Sequence, residues 1–201
     1  MPMTATTVPR ANQREHILDE ALKLMSAQGS AGMSMRQLAL ACGVQVAAIY
    51  HYFPSKDALL RSVFEERRYD SRLADEENLL DIDRDGTVEQ RLRSVFAMFW
   101  NGALDEEPVL RLLLGEALRN QPVALPTGTA LLEVFRSGVR LLLEEFVPEL
   151  DDVELVTQVF NSQLFAGFIR HIFEPEADTD VIAAELADVM VRVVLEPVVL
   201  D

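Results

Sequence analysis

Apolar residues recur at helical spacing along almost the whole chain. Ile17, Leu18, Ala21, Leu24 and Met25 form one stripe and predict a helix over 12–27, closed by Gly29. Ser34, with Gln37 three residues on, has the form of a capping box and predicts a helix ending near Cys42-Gly43. A short helix is predicted over 45–52. It stops at Phe53-Pro54 because a proline forces the preceding residue out of helical angles. A long amphipathic stretch runs from Ser55 to about Leu80. Further helices are predicted over 87–103, 106–119, 128–147, 151–173 and 178–195, punctuated by Pro108, Pro122, Pro126, Pro148, Pro175 and Pro197. Strand-like alternation is missing, and the single Asp85-Gly86 pair lies between two helical patterns. The predicted fold is all-α with about nine helices, and residues 1–11 are expected to be a disordered tail.

Within this pattern one stretch, residues 33–53 (MSMRQLALACGVQVAAIYHYF), has the requirements of a helix-turn-helix. Its turn needs a residue tolerant of positive φ, and Gly43 is there. Close approach of the two helices needs a small residue shortly before the turn, and Ala39 is there. Leu38, Cys42, Val44 and Ile49 supply the inward apolar positions. Val46, Ala47, Ala48 and His51 are left facing out. Two alanines and a valine are odd on a solvated face but suit a helix in a major groove, where thymine methyls accept apolar contact. An ordinary helical hairpin inside a core satisfies the same generic pattern.

The flanking residues extend it. The string GVQVAAIYHYFPSKDALL resembles the TetR/AcrR family of transcriptional regulators, whose pattern is roughly Gly-Val-Ser-x-x-x-Leu-Tyr-x-His-Phe-x-x-Lys-x-x-Leu. The matching positions are Gly43, Val44, Ile49, Tyr50, Phe53, Lys56 and Leu59, with Arg14, Ile17, Leu18, Ala21, Leu24, Gly29, Ser34, Leu38 and Ala39 upstream. The resemblance covers about residues 12–62. Two positions depart from it: Gln45 stands where Ser or Thr usually caps the recognition helix, and Tyr52 replaces the usual His. Glutamine caps weakly but can read adenine through two hydrogen bonds, and Tyr52 keeps a hydroxyl for a phosphate.

The resemblance implies a DNA-binding domain over residues 1–56 and an effector-binding, dimerising domain over residues 57–201. It implies that Tyr50 and Lys56 anchor phosphates, and that Ser34 and Arg36 contact DNA from the preceding helix. Gln45, Val46, Ala47, Ala48 and His51 then face the bases, with Tyr52 beside them. Arg10 and Arg14 are further candidates for phosphates or a minor groove, Arg14 equally for a plain surface charge. The expected partners are double-stranded DNA, a second copy of the chain and a mainly apolar small-molecule effector. The expected role is a ligand-responsive repressor on a palindromic operator.

Charge fits this division. The net charge of −15 argues against a nucleic-acid binder only when averaged. Residues 1–62 carry six Lys/Arg against four Asp/Glu, so this part is +2 and the remainder −17. In the remainder, Phe96, Phe99 and Trp100 form the densest aromatic group, with Phe135, Phe160 and Phe165 as possible partners from later helices. Asn101, Asn161 and Gln163 are polar residues inside apolar patterns. Phe96, Phe99, Trp100, Phe135, Phe160, Asn161 and Gln163 are the candidate pocket, although core packing and solvent exposure explain the same residues. Leu164, Gly167, Phe168 and His171, with Ile182, Leu186, Val189, Met190 and Val193, lie at helix-contact spacing and are candidates for a four-helix dimer interface. A monomer core uses the same spacing.

Other signals lead elsewhere. Asp81, Asp83, Asp85 and Gly86 imitate the opening of a calcium loop, but its twelfth position is Leu92 instead of a bidentate Glu. His16, His51 and His171 lack metal spacing, and no nucleophile or phosphate-loop arrangement occurs. Neither a metal, a cofactor nor an enzymatic activity is expected. Cys42 is the single cysteine, so no internal disulfide can form, and its neighbours suit a small core residue. No apolar run approaches a membrane span and no signal-peptide core is visible, so a cytoplasmic protein is expected. Two alternatives remain open: a regulator acting as an activator or without a ligand, and a helical ligand-binding protein or enzyme whose N-terminal motif is only structural.

Overall fold

A computed structural model describes residues 10–66, 82 and 84–195, with side chains described from Gln13 onward. The nine helices among the described residues are α1 (Arg10–Gly32), α2 (Met35–Ala41), α3 (Val46–Tyr52), α4 (Lys56–Glu66), α5 (Val88–Asp105), α6 (Glu107–Leu118), α7 (Ala124–Phe146), α8 (Val153–Phe173) and α9 (Thr179–Leu195). No strand occurs among those residues. The predicted fold class is correct.

The boundaries differ in three places. α1 begins at Arg10, inside the expected tail, and continues past Gly29 to Gly32. Gly29 still breaks the helix: at φ 75° and ψ 160° it makes a kink, beyond which the last turn resumes. α7 starts four residues before the expected 128, because Pro126 falls in its first turn, where its missing N–H is not needed. The continuation of α4 expected beyond Glu66 lies outside the described residues.

The chain divides into two compact units. The first holds α1–α4, α6 and the opening of α7; the second holds α5, α7 from Ala130 onward, α8 and α9. This division does not coincide with a boundary at residue 57. Leu59, Leu60, Val63 and Phe64 of α4 are buried, and α1 packs against α2, α4 and, most extensively, α6. The apolar stripe of α1 is spent on these contacts: Ile17, Leu18, Ala21 and Met25 are buried.

The second unit is built around α5, whose Phe96, Phe99 and Trp100 are completely buried. Phe160 of α8 sits between the first two, with ring centroids 5.2 Å from Phe96 and 5.5 Å from Phe99. Phe135 of α7 lies 6.3 Å from Phe99. Gly167 lets α8 approach closely, since a Cβ there would meet Leu186 Cδ1 at 2.4 Å and Trp100 Cζ3 at 2.8 Å. Leucine can swing away but the indole cannot. Gly167→Ala is therefore expected to destabilise the fold by roughly 1–3 kcal/mol, the usual cost of overpacking. Chemical denaturation followed by helical circular dichroism measures it; an unchanged midpoint would disprove the tight contact.

Candidate nucleic-acid interface

The helix-turn-helix is built as its sequence requires. Ser34 is the N-cap of α2: its Oγ accepts from Gln37 N at 3.1 Å, and Gln37 Oε1 accepts from Ser34 N at 2.8 Å. That is the predicted capping box, and it satisfies two otherwise orphaned donors. Gly43 turns the chain at φ 65°, and Val44 N returns to Ala39 O at 2.9 Å, where the alanine leaves room. Leu38, Ala39 and Ile49 are buried between α2 and α3.

α3 then presents Gln45, Ala47, Tyr50 and His51 to solvent, with Val46 and Ala48 half-buried beside them. Gln45 is the N-cap but its side chain makes no capping bond, so its amide stays available for another partner. Tyr50 is 49% exposed, which removes core packing as the reason for an aromatic residue there. Ser34 and Arg36 are exposed at the start of α2. Lys56 Nζ donates to Met33 O at 3.2 Å and Ala31 O at 3.4 Å. An ammonium carries three donors, so it ties the end of α1 and keeps one for a phosphate.

Two candidates have internal employment. The Tyr52 hydroxyl is half-buried and donates to Gln13 Oε1 at 3.3 Å, so phosphate contact would compete with that bond. Arg14 is a strut between helices. Its guanidinium pairs with both oxygens of Glu66 and lies 5.1 Å from the centre of the Phe53 ring, tying α1 to α4. The side chain of Arg10, and Asp81 and Asp83 of the acidic turn, lie outside the described residues.

The other sequence candidates fall in the second unit. The pocket rings Phe96, Phe99, Trp100, Phe135 and Phe160 come together, as a close-packed core. Asn161 Nδ2 donates to Thr157 O at 2.8 Å on its own helix, and Gln163 is half-buried. Phe165 is 56% exposed and does not join the rings. Among the interface candidates, Leu164, Gly167, Phe168, Ile182 and Met190 are buried within the chain, Leu186 and His171 are half-buried, and Val189 and Val193 are exposed. The sequence reasoning missed Leu118, Leu132, Leu141 and Phe173, all strongly exposed. It also missed Glu116, a fully buried carboxylate on α6 whose only sequence signal is its place inside an apolar run. Among the described residues no group of three His, Cys, Asp or Glu is placed to hold a metal, and no helix is long and apolar enough to cross a membrane.

These features define a helix-turn-helix with an exposed second helix, α3. Residues 17–63 match the family of bacterial regulatory proteins described as the tetR family. The nucleoid occlusion factor SlmA of Klebsiella pneumoniae is 28% identical over 200 residues, covering 92% of this chain and 100% of that protein. The HTH-type transcriptional regulator AcrR of Shigella flexneri is 44% identical over 52 residues, 26% of this chain and 24% of its own length. Two solved structures share the fold. The transcriptional regulator FadR from Bacillus subtilis, in complex with stearoyl-CoA, has a TM-score of 0.67 at 17% identity, covering 88% of this chain and 97% of that one. A TetR/AcrR-type regulator from Aquifex aeolicus VF5 has a TM-score of 0.69 at 18% identity, covering 90% and 99%. Over residues 17–63 the chain thus matches the tetR family of bacterial regulatory proteins, and its fold is similar to that of TetR/AcrR-type regulators.

Three outcomes follow at this site. Lys56→Ala should weaken binding to every DNA sequence and reduce the slope of log affinity against log salt by about 1. Gln45→Ala should leave stability within about 0.5 kcal/mol while relaxing selectivity at one base pair by about 1–3 kcal/mol. Salt titrations and competition with single-base operator variants measure both. Burial pushes the Cys42 thiol up to about 11, so below that pH it stays protonated. A thiol-specific reagent at pH 8 should modify native protein far more slowly than urea-unfolded protein; equal rates would place the cysteine at the surface.

Proposed function

We propose that this chain is a cytoplasmic, ligand-responsive repressor that binds a palindromic operator as a homodimer, and that it works by binding, with no catalytic step. The observation that carries this reading is the exposed face of α3, with Gln45, Ala47, Tyr50 and His51 flanked by Ser34, Arg36 and Lys56. DNA reading is assigned to residues 1–56, and effector binding and dimerisation to residues 57–201, with α4 and α6 packed onto the head. Base contacts come from Gln45, Val46, Ala47, Ala48 and His51; phosphate contacts come from Ser34, Arg36, Tyr50, Tyr52 and Lys56.

For the dimer, the exposed apolar residues Phe165 and Phe173 of α8 and Val189 and Val193 of α9 are the surface a second copy would cover. Val189 and Val193 keep the role expected of them from the sequence, and Phe165 and Phe173 take over much of that expected of Leu164, Gly167, Phe168, His171, Leu186 and Met190, which are buried or half-buried within the chain. For the effector, the aromatic set Phe96, Phe99, Trp100, Phe135 and Phe160, with Asn161 and Gln163, is the proposed site for a mainly apolar molecule, which would have to part rings that pack closely without it. The fold shared with a regulator solved in complex with stearoyl-CoA supports that class. An effector can release the operator only by binding one arrangement of the dimer more tightly than the other.

The test is selection of bound DNA from a random pool, followed by a gel shift on the promoter beside the chain's own gene. A selected palindrome with half-sites about one or two helical turns apart supports the reading; single unpaired half-sites would refute the dimer. Val193→Asp should shift the protein to monomer in analytical ultracentrifugation and cost operator affinity. A second reading has one observation in its favour: the relative matched along its full length is a nucleoid occlusion factor. Selected sites scattered along the chromosome away from promoters would favour that use of the same DNA-reading head.

A further inference from the structure

A cavity of about 300 Å³ opens between α1 and α6, within the first unit. Its walls include Gln28 and Gly29 from α1 and Arg111, Leu112, Gly115 and Arg119 from α6 and the turn after it. Both charged residues in the lining are arginines. Each has one carboxylate partner, Glu107 for Arg111 and Glu116 for Arg119, and neither carboxylate lines the cavity. The space therefore faces two cations and no carboxylate, in a chain whose net charge is −15.

The Arg119 side chain is 53% exposed and lies over two glycines. A Cβ on Gly29 would lie 3.4 Å from its Cζ, Nη1 and Nη2, and one on Gly115 would lie 3.1 Å from Nη1. Two glycines thus form a slot for the flat guanidinium. Its partner Glu116 is already committed, since Oε1 accepts from Ser30 N and Oε2 from Ser30 Oγ, both at 2.8 Å. The approach of Arg119 Nη1 to that carboxylate is 3.6 Å, longer than a hydrogen bond. A guanidinium has five donors arranged to grip planar or tetrahedral oxyanions. The volume sits at the small end of ligand pockets.

We infer that this cavity is a binding site for a small oxyanion, a carboxylate or phosphate group gripped by Arg119 and Arg111, separate from the aromatic core of the second unit and from the DNA-reading face. Arg119 supplies the bidentate contact and Arg111 the second charge. Gly29 and Gly115 keep the slot open.

Isothermal titration of the full-length protein with inorganic phosphate and, separately, with citrate tests the site at constant ionic strength. One of the two should bind saturably, and which one does distinguishes phosphate from carboxylate chemistry. Arg119→Ala should weaken that binding at least tenfold. Gly115→Ala keeps every charge, suits a helix, and places a methyl against Nη1, so it should weaken binding severalfold. Arg192→Ala, an equal change of charge on exposed α9, should leave binding unchanged. Circular dichroism of each variant establishes that it is folded. Heats that track ionic strength alone, or equal affinity in wild type and Arg119→Ala, would overturn the site. So would a flattened salt dependence of DNA binding in Arg119→Ala with no binding of either anion, because the arginine would then serve the DNA backbone.

Discussion

The end of α1 depends on a carboxylate that belongs to another helix. Gly29 takes the chain out of helical angles, so the Ser30 N–H loses the carbonyl an unbroken helix would offer it. Glu116, without exposed surface, accepts that N–H and the Ser30 hydroxyl together. Hydrogen bonds to a charged group contribute about 1.5–3 kcal/mol each. They offset the cost of burying the carboxylate, and leaving it without partners would cost about 3–5 kcal/mol. Net stability is therefore not what the arrangement adds; it fixes one geometry. The carbonyls of Ala31 and Met33 that follow are the ones Lys56 ties down, and Ser34 begins α2 immediately afterward. The positions of Ser34 and Lys56, two of the proposed phosphate contacts, thus depend on a carboxylate buried on another helix.

How much of this the sequence reveals depends on the range of the interaction. Local features are legible. The Ser34–Gln37 capping box, the Gly43 turn and the stop at Phe53-Pro54 involve neighbours in the chain, and each appears where its residue types demand. The outward face of α3 is equally legible, because burying Ile49 fixes the rotation of a seven-residue helix. Partnerships between distant residues are not. Arg14 reads as a free cation until Glu66 and Phe53 are placed beside it. Glu116 reads as one of many carboxylates until Ser30, 86 residues away, supplies its partner. Periodicity shows that Gly167 and Met190 lie on packed faces; it does not say whether the opposite surface belongs to the same chain. Both are buried within it, beside Trp100 in the case of Gly167.

The composition of the reading face shapes how this head can recognise a sequence. Val46, Ala47 and Ala48 carry no side-chain donor or acceptor, which leaves Gln45 and His51 as the hydrogen-bonding groups among the base-facing set. Methyl contacts discriminate thymine, but each supplies less than a bidentate pair. For the proposed base-facing set, selectivity would then draw on how easily the DNA adopts the shape the protein requires.

Charge works in the same direction. Residues 1–62 are +2 and the remainder −17, so the net repulsion of phosphates comes from the remainder. At physiological salt the repulsion decays over about 8 Å. The acidic surface therefore acts on misoriented encounters and contributes little once the head is seated. Non-specific binding, which draws its strength from phosphate neutralisation, is weakened more than specific binding. With the base-facing set proposed here, a head with few cations gains selectivity from an acidic remainder that disfavours phosphate-driven binding.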